Sequence, residues 1–378
     1  MIPIYFDNAA STRPLDEVIG IYAAESANLC GNPASLHRMG LAAETAIRQA
    51  ASETAALLNA TAGELVFTSG GTESNNLAIL GAINNRSVEG VNAVTTVTEH
   101  PSVYECFKEL EKKGLHVTYL KTDARGRIDT GELRGAVNER TALVSVAHVC
   151  GETGTIQDIG IIGRAVKERN PYALFHVDGA QAFGKLPVDI RGSRIDFYSA
   201  SAHKIHGLKG AGCLFVKNGR RLAPLFFGGP QQNGVRPGTE NAAGVMAFAA
   251  AARTAYGCMD NNLAQVTAVR DALMCFLIRD GVIINGDANG SPYILNASFM
   301  GYKGEVIVNA LSEAGVCAST GSACNERRGK ANALTRMGLG PERAGSAVRF
   351  SFSRFNTTDE AERCGEILQN ILKTIVRL

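Results

Sequence analysis

The sequence predicts an α/β fold built on a largely parallel β-sheet. Short apolar segments typical of strands alternate with helical segments, and the predicted strands lie at 64–68, 91–98, 117–120, 142–149, 174–178, 196–199 and 213–216. Strands that alternate with helices favour a wound parallel sheet. Several of these strands run directly into polar residues, and ligands of wound sheets bind at the carboxyl ends of the strands. We therefore expect one site at this edge.

The chain is long enough for two domains. Helical segments are predicted at 41–58, 159–169, 242–255, 263–277, 304–314 and 359–376, the last capped by Thr357 or Thr358. Further strands are predicted at 282–284, 294–299 and 348–352. We expect a large domain at 13–256 and a smaller α+β domain formed by 1–12 and 257–378.

Composition and charge exclude several classes of protein. Of the 378 residues, 45% are hydrophobic and 20% are charged, which is typical of a globular protein. The formal net charge is +2, so neither a nucleic-acid nor a membrane partner is indicated. The nine cysteines have no paired CxxC spacing, which argues against a zinc site and for free thiols in a reducing cytoplasm. The start of the sequence does not resemble a signal peptide.

The stretch 196–204 ends in Ser201-Ala202-His203-Lys204 and carries the most specific chemistry. A lysine at the end of a buried strand suits Schiff-base chemistry, because desolvation and nearby positive charge lower the pKa of its amine. Ser201 and His203 are suited to binding a phosphate. Pyridoxal phosphate needs both an amine and phosphate donors. A surface lysine after an ordinary strand fits equally well, and Lys209 is a second candidate.

A glycine-rich turn at 69–75 separates a predicted strand from a predicted helix. Backbone N–H groups at such a helix start favour an anion, and Gly71 and Thr72 lie in this turn. Any strand-to-helix corner can use two glycines, so the turn alone is weak support. Together with the stretch around Lys204, it becomes much stronger.

Other strand ends supply polar groups that such a cofactor requires. Asp178 is suited to pairing with a pyridinium nitrogen, and Gln181 to donating a hydrogen bond to a phenolic oxygen. His100 is suited to stacking on a ring and moving protons, and Arg349 to gripping a carboxylate. Each residue also has an ordinary structural interpretation, such as a helix cap, a core histidine or a surface ion pair.

Taken together, these motifs resemble the cysteine desulfurases of the NifS/IscS group over essentially the whole chain. The matching segments are 7–10 (DNAA), 31–35 (GNPAS), 70–75 (GGTESN), 98–100 (TEH), 176–181 (HVDGAQ), 201–204 (SAHK), 236–239 (RPGT), 321–324 (GSAC) and 348–351 (VRFS). The resemblance implies a fold-type I pyridoxal-phosphate enzyme of the class-V aminotransferase family, acting as a homodimer. It implies that Thr72, Ser201 and His203 hold the phosphate, with Thr239 reaching in from the other subunit.

The resemblance also implies a reaction. L-Cysteine would displace Lys204 from the cofactor, and Lys204 would move the α-proton. Cys324 would accept the sulfur as a persulfide, with release of alanine, and would pass it to a protein acceptor in iron–sulfur cluster assembly or tRNA thiolation. Arg349, Asn32 and Gly151 are the expected substrate-binding positions, and the smaller domain would carry Cys324.

One position departs from the family pattern. The family usually has Asn-Asn-Glu where this chain has Cys150-Gly151-Glu152. The missing amide at Gly151 leaves room for another reaction, a lyase or aminotransferase acting on another amino acid. A weakly active homologue that serves as a binding partner is the third possibility. Cys150 is either a space-filling thiol or an additional reactive group.

Overall fold

The computed structural model describes residues 3–84, 87–321 and 332–377. Its β-strands are β1 (Ile4–Tyr5), β2 (Leu65–Thr68), β3 (Asn92–Thr96), β4 (His116–Leu120), β5 (Thr141–Ala147), β6 (Leu174–Asp178), β7 (Phe197–Ser201), β8 (Gly212–Val216), β9 (Val282–Asn285), β10 (Ile294–Phe299), β11 (Val316–Cys317) and β12 (Ala347–Ser351).

Its α-helices are α1 (Asp16–Asn28), α2 (Arg38–Leu57), α3 (Gly71–Ile83), α4 (Pro101–Lys112), α5 (Thr130–Ala136), α6 (Ile159–Arg169), α7 (Ala242–Gly257), α8 (Met259–Leu277), α9 (Gly304–Glu313), α10 (Ala333–Arg336), α11 (Pro341–Gly345) and α12 (Thr358–Thr374). In the described ranges, none of the helices is long and apolar enough to span a bilayer.

A seven-stranded sheet dominates the fold, with the order β2-β8-β7-β6-β5-β3-β4. β8 pairs antiparallel with both β2 and β7, while the pairs among β3 to β7 are parallel. The predicted α/β class with a mainly parallel sheet is therefore confirmed. Since the parallel strands run in one direction, their carboxyl ends line one edge, and the side chains that follow them are brought together there.

Helices cover both sides of this sheet. Phe175 of β6 packs into a buried cluster with side chains from α2, α6 and α7, while Leu174 packs into a second cluster with α3 and α4. Successive side chains of a strand point to opposite faces, so one strand contributes to both layers. Burial on both faces explains why the sequences of these strands are continuous apolar segments and do not alternate strictly with polar residues.

A second sheet lies in the C-terminal part of the chain, with β10 pairing antiparallel with β9 and β12. Its buried cluster combines these strands with α8, α9 and α12. The first strand joins this region, because β1 pairs parallel with β11 and Phe6 is part of the same cluster. This pairing agrees with the assignment of residues 1–12 to the smaller domain, but the boundaries themselves stay a prediction. Thr357, one of the two predicted caps, is the N-cap of α12 and forms a capping box with Glu360.

Gly179 positions the end of β6 against the neighbouring strand. A Cβ atom at this position would lie 2.0 Å from the ring carbon Cζ of Tyr198, which is fully buried. We expect Gly179→Ala to lower the free energy of unfolding by roughly 1–3 kcal/mol, because the buried ring has to move. Gly135→Ala is the matched control, since a Cβ there meets nothing within 4 Å. Equal unfolding midpoints for the two variants in a urea titration would contradict this prediction.

Candidate active site

Lys204 lies just beyond the carboxyl end of β7. The short 3₁₀ turn Ala202–Lys204 follows Ser201 directly and directs the lysine toward residues 7–12, which we call the N-terminal turn. The Nζ atom of Lys204 donates to the carbonyl oxygens of Ala9 at 2.6 Å and Ala10 at 2.9 Å. The half-buried amine therefore has a fixed position at the edge of the sheet.

Asp178 is the last residue of β6 and is 6% exposed. Its Oδ1 atom accepts from the backbone N–H of Ala180 at 3.0 Å, and its Oδ2 atom accepts from Nδ2 of Asn75 at 2.8 Å. Both carboxylate oxygens therefore have a hydrogen-bond donor in this buried position. Asp178 thus provides a buried carboxylate at the end of β6, which is the strand next to β7, and Lys204 follows β7.

The glycine-rich turn and Ser201 form a cradle at the start of α3. Gly70 has a φ of +147°. It packs closely against Gly212 of β8, since a Cβ atom on Gly212 would lie 2.6 Å from the Cα of Gly70. A Cβ on Gly71 would lie 3.6 Å from the Cβ of Ser201, so the turn and the strand end are neighbours. The Oγ atom of Ser201 is buried and has no hydrogen-bond partner among the residues that the structure describes.

An unpartnered buried hydroxyl beside a helix N-terminus is what an anion site provides. Thr72, in the first turn of α3, is exposed. The Nδ1 atom of His203 lies 3.4 Å from Oγ of Ser11, and burial together with the charge of Lys204 lowers the pKa of His203 to about 4. His203 is therefore neutral at pH 7.

His100 is the N-cap of α4 and opens onto the same edge. Its Nδ1 atom lies 2.8 Å from Oγ of Ser102 and accepts from the backbone N–H of Ser102 at 3.2 Å. Part of the His100 side chain reaches solvent. The protein atoms packed around the imidazole nevertheless desolvate it, and this lowers its pKa. The carboxylate of Asp178 opposes this effect without cancelling it.

Gln181 connects the N-terminal turn to a buried lysine that the sequence did not single out. Its Nε2 atom donates to the carbonyl of Ala9 at 2.9 Å, and its Oε1 atom accepts from Nζ of Lys185 at 3.1 Å. A carbonyl only accepts and an ammonium only donates, so these partners fix the orientation of the amide. Burial lowers the pKa of Lys185 to about 7, and the charges of Lys204 and Arg349 act in the same direction.

Arg349, in the middle of β12, reaches the site from the second sheet. Its guanidinium donates to the carbonyl of Gly151 and to Oδ1 of Asp7, both at 2.9 Å. Its Nε atom is buried without a partner in the described part of the chain. A Cβ on Gly151 would lie 3.6 Å from Nε2 of Gln181, which is an ordinary contact, so the position beside Gln181 has room for a side chain.

Cys150 precedes Gly151 and has a buried side chain. It is 4% exposed, and its Sγ atom lies 4.0 Å from the carbonyl oxygen of Thr98. Burial, reinforced by the charge of Glu152, raises the pKa of the thiol. A thiol with a raised pKa forms little thiolate, so this geometry favours the space-filling interpretation.

Three predicted site residues are not joined to this group in the described residues. Asn32 is exposed, and its Oδ1 atom accepts from the backbone N–H of Ala34 in a local turn. Thr239 is exposed on the connection to α7 and makes no hydrogen bond to the strand-end residues that the structure describes. Cys324 lies outside the described residues.

Asn75, Ser102, Lys185 and Asp7 contact the predicted residues and were not assigned a role from the sequence. Asp7 lies in the DNAA segment and Asn75 in the GGTESN segment that resemble the family. The resemblance therefore marked both residues, but it did not indicate which side chains they contact. Lys185 follows Gln181 by four positions, a spacing that places two residues on one side of a helical turn. Across 3–84, 87–321 and 332–377, no group of three or more His, Cys, Asp or Glu side chains is suited to a metal ion.

The amine, the buried carboxylate and the anion cradle at the ends of parallel strands define a class, the α/β enzymes of pyridoxal-phosphate fold-type I. The aminotransferase class-V family profile matches residues 4–364. The chain therefore belongs to this family, in the cysteine desulfurase group.

Three similar proteins support the assignment to this group. The cysteine desulfurase of Trichormus azollae is 38% identical, with 99% of this chain and 94% of that protein covered. The cysteine desulfurase IscS of Colwellia psychrerythraea is 40% identical, with 98% and 93% covered. A solved NifS-like protein superposes with a TM-score of 0.93 at 33% identity, covering 99% of this chain and all of that one.

Proposed function

We propose that this chain removes sulfur from L-cysteine with pyridoxal phosphate bound at Lys204, forms a persulfide on Cys324 and releases L-alanine. The observation that carries the proposal is the convergence of the Lys204 amine, the Asp178 carboxylate and the unpartnered Ser201 hydroxyl at one edge of the sheet. Few cofactors require an amine, a buried anion and an anion cradle together.

The residues present fit this cofactor. Ser201, Gly71 and Thr72 would hold its phosphate, Asp178 its pyridine nitrogen and Gln181 its phenolic oxygen. His203 is neutral at pH 7 and offers a ring N–H to the same phosphate. When bound, the cofactor supplies an electron sink for charge that develops on the substrate. Lys204 would hold the aldehyde of this group and would hold or move the proton of the substrate α-carbon.

The substrate carboxylate would bind Arg349. Contacts to Asp7 and the Gly151 carbonyl hold the guanidinium, and its unpartnered Nε–H still needs an acceptor. A charge-assisted bond to a carboxylate provides one. Asn32 would contribute to this binding only if its exposed loop approaches the cleft, and His100 would exchange protons there.

Cys324 would act as a thiolate and attack the sulfur of cysteine. The carbon–sulfur bond of the substrate breaks, a sulfur–sulfur bond forms on Cys324, and the thiol proton replaces sulfur on the carbon that becomes the alanine methyl group. The described residues before Cys324 support its assignment: Ser319 pairs with the backbone of Arg349, and Gly321 follows two positions later.

We further propose a cytoplasmic homodimer in which Thr239 of one subunit completes the phosphate site of the other. The exposure of Thr239 in this chain leaves it available for such a contact. The eight cysteines among the described residues are all free thiols, as a reducing compartment favours. The persulfide would pass to a protein acceptor, an iron–sulfur cluster scaffold or a tRNA-thiolation enzyme. The relative named IscS supports the first.

Gly151 favours one competing function. Its missing side chain leaves space beside Gln181, so the same site can take a lyase or aminotransferase reaction on a different amino acid. A weakly active homologue that binds a partner is disfavoured by the intact group of Lys204, Asp178 and Arg349.

The first prediction from the proposed function concerns the cofactor link. The purified protein is expected to be yellow, and borohydride should attach the cofactor to Lys204, because this amine is fixed at the edge of the sheet. Lys204→Ala should abolish the attachment, whereas Lys209→Ala, at an exposed lysine, should not change it. Peptide mass mapping of the reduced protein measures both, and a modified Lys209 would show that the assignment is wrong.

The second prediction concerns the persulfide. Cys324→Ser should bind cysteine with unchanged affinity, since Arg349 is intact, but it should accumulate no protein-bound sulfane sulfur and release no alanine above background. Cys150→Ala is the matched control and should retain turnover, because that thiol is buried with a raised pKa. Alanine release at the wild-type rate by Cys324→Ser would exclude the carrier role and indicate another route.

The third prediction concerns Gly151. Gly151→Asn should fold, because its Cβ makes only ordinary contacts, and the new amide should tighten cysteine binding about ten- to a hundredfold. An absorbance titration with cysteine in the Cys324→Ser background measures the affinity. Gly63→Asn, at a position with open space, is the control. Weaker cysteine binding in Gly151→Asn would instead favour a different substrate.

A further inference from the structure

A chain of three hydrogen bonds joins Asp178 to His100 through two residues with no role in the proposed reaction. Nδ2 of Asn75 donates to Oδ2 of Asp178 at 2.8 Å and to Oγ of Ser102 at 2.9 Å. Oγ of Ser102 lies 2.8 Å from Nδ1 of His100. Asn75 is 1% exposed and Ser102 is 9% exposed, so water does not compete strongly for these bonds. The chain therefore connects the end of β6 to the N-cap of α4 across α3.

The direction of each hydrogen bond follows from its partners. The Asp178 carboxylate only accepts, so the amide nitrogen of Asn75 must face it, and the second hydrogen of that nitrogen reaches Ser102. The backbone N–H of Ser102 only donates, and it points at Nδ1 of His100 at 3.2 Å. Nδ1 of His100 therefore carries a lone pair. The hydroxyl of Ser102, which already accepts from Asn75, is left to donate to the same nitrogen.

A neutral histidine with a lone pair on Nδ1 carries its proton on Nε2. Protonation of Nδ1 would set an N–H against the fixed N–H of Ser102, which opposes formation of the imidazolium. The charged groups around the ring are Asp178 on β6, Lys204 after β7, Arg336 on α10 and Arg349 on β12. Desolvation outweighs Asp178 and lowers the pKa of His100, with the three cations acting in the same direction.

We propose that Ser102 and Asn75 are positioning residues that hold His100 as the Nε2–H tautomer, so that it meets the substrate as a donor at Nε2. Asn75, polarised by the Asp178 carboxylate, strengthens the Ser102 hydroxyl as a donor to Nδ1. The tautomer itself is a property of this chain's own residues, while its use in catalysis rests on the proposed function. Conversion of cysteine to alanine requires a proton at the carbon that loses sulfur, and a donor in the cleft serves that need.

A purely structural role is the alternative. The contact from the backbone N–H of Ser102 to His100 also caps α4, and Ser102 is packed in the interior. If capping and packing were its whole contribution, loss of the hydroxyl would change stability and leave the imidazole unchanged.

Ser102→Ala tests the proposal by ¹⁵N NMR of the histidine-labelled holoenzyme, with the His100 signal assigned from its loss in His100→Gln. In the wild type, Nδ1 of His100 should be unprotonated at pH 7. In Ser102→Ala, we expect the pKa of His100 to rise by roughly half a unit to one unit, because a hydrogen bond to Nδ1 is lost. The fraction with the proton on Nδ1 should rise too, and Ser102→Thr should restore both values.

Two further variants keep the test decisive. Cys106→Ala removes another buried group from α4, whose Sγ donates to the Ser102 carbonyl, and it should leave the His100 signal unchanged. If Ser102→Ala does not fold, Ser102→Cys keeps the size and weakens the donor, and an intermediate pKa shift is expected. Wild-type tautomer and pKa in a folded Ser102→Ala or Ser102→Cys would overturn the proposal.

The NMR measurement does not require turnover. It can therefore test the tautomer of His100 even if the protein proves not to be a cysteine desulfurase. The pH profile of alanine release supplies the link to catalysis. In Ser102→Ala, the limb that reports His100 should move to higher pH by the same shift that NMR measures. A shifted NMR titration in a protein that makes no alanine would support the tautomer and reject the proposed function.

Discussion

The N-terminal turn is the contact on which the rest of the site depends. The Ala9 carbonyl accepts from both Lys204 and Gln181, and Asp7 accepts from Arg349. These donors come from β7, from the segment after β6 and from β12, so the turn links the large sheet to the second sheet. Backbone carbonyls are rigid acceptors, and a donor that bonds to them cannot drift without loss of a buried hydrogen bond. The positions of Lys204 and Gln181 are therefore set by a segment more than 170 residues away from either of them in the sequence.

The charge balance of the site explains why it suits an anionic ligand. Lys185, Lys204 and Arg349 lie at one edge of the sheet, and burial, with the charges of Lys204 and Arg349 acting in the same direction, lowers the pKa of Lys185 to about 7. A phosphate and a carboxylate would neutralise these positive charges and strengthen each charge-assisted bond. The Asp178 carboxylate forms its hydrogen bonds with Asn75 and with the backbone N–H of Ala180, and not with these cations. In the proposed function, these cations would bind the anionic groups of the ligand, while the buried Asp178 carboxylate would pair with a protonated ring nitrogen.

The sequence alone predicted most of the large sheet, because strands buried on both faces are continuous apolar segments and their ends carry polar residues. It placed α6 and β10 at the bounds the structure shows. The contacts between distant residues were not predictable: Asn75 bonds to Asp178 across 103 positions, and no local pattern encodes that pairing. Lys185 was missed for a similar reason, since a lysine in an apolar turn is usually exposed.

Contacts on both sides of the Cys324 segment connect it to the catalytic group. Before it, Ser319 and Arg349 exchange backbone hydrogen bonds, so β12, which carries the proposed substrate-binding guanidinium, also holds the described chain that precedes Cys324. After it, Oε2 of Glu152 accepts from the backbone N–H of Ala333 at 2.8 Å. Glu152 directly follows Gly151, whose carbonyl accepts from Arg349. Because Ser319 contacts Arg349 and Ala333 contacts Glu152 beside Gly151, we expect a change at the proposed substrate-binding position 151 to reach the described chain on either side of Cys324. Substrate binding and sulfur transfer should therefore be coupled in variants at position 151.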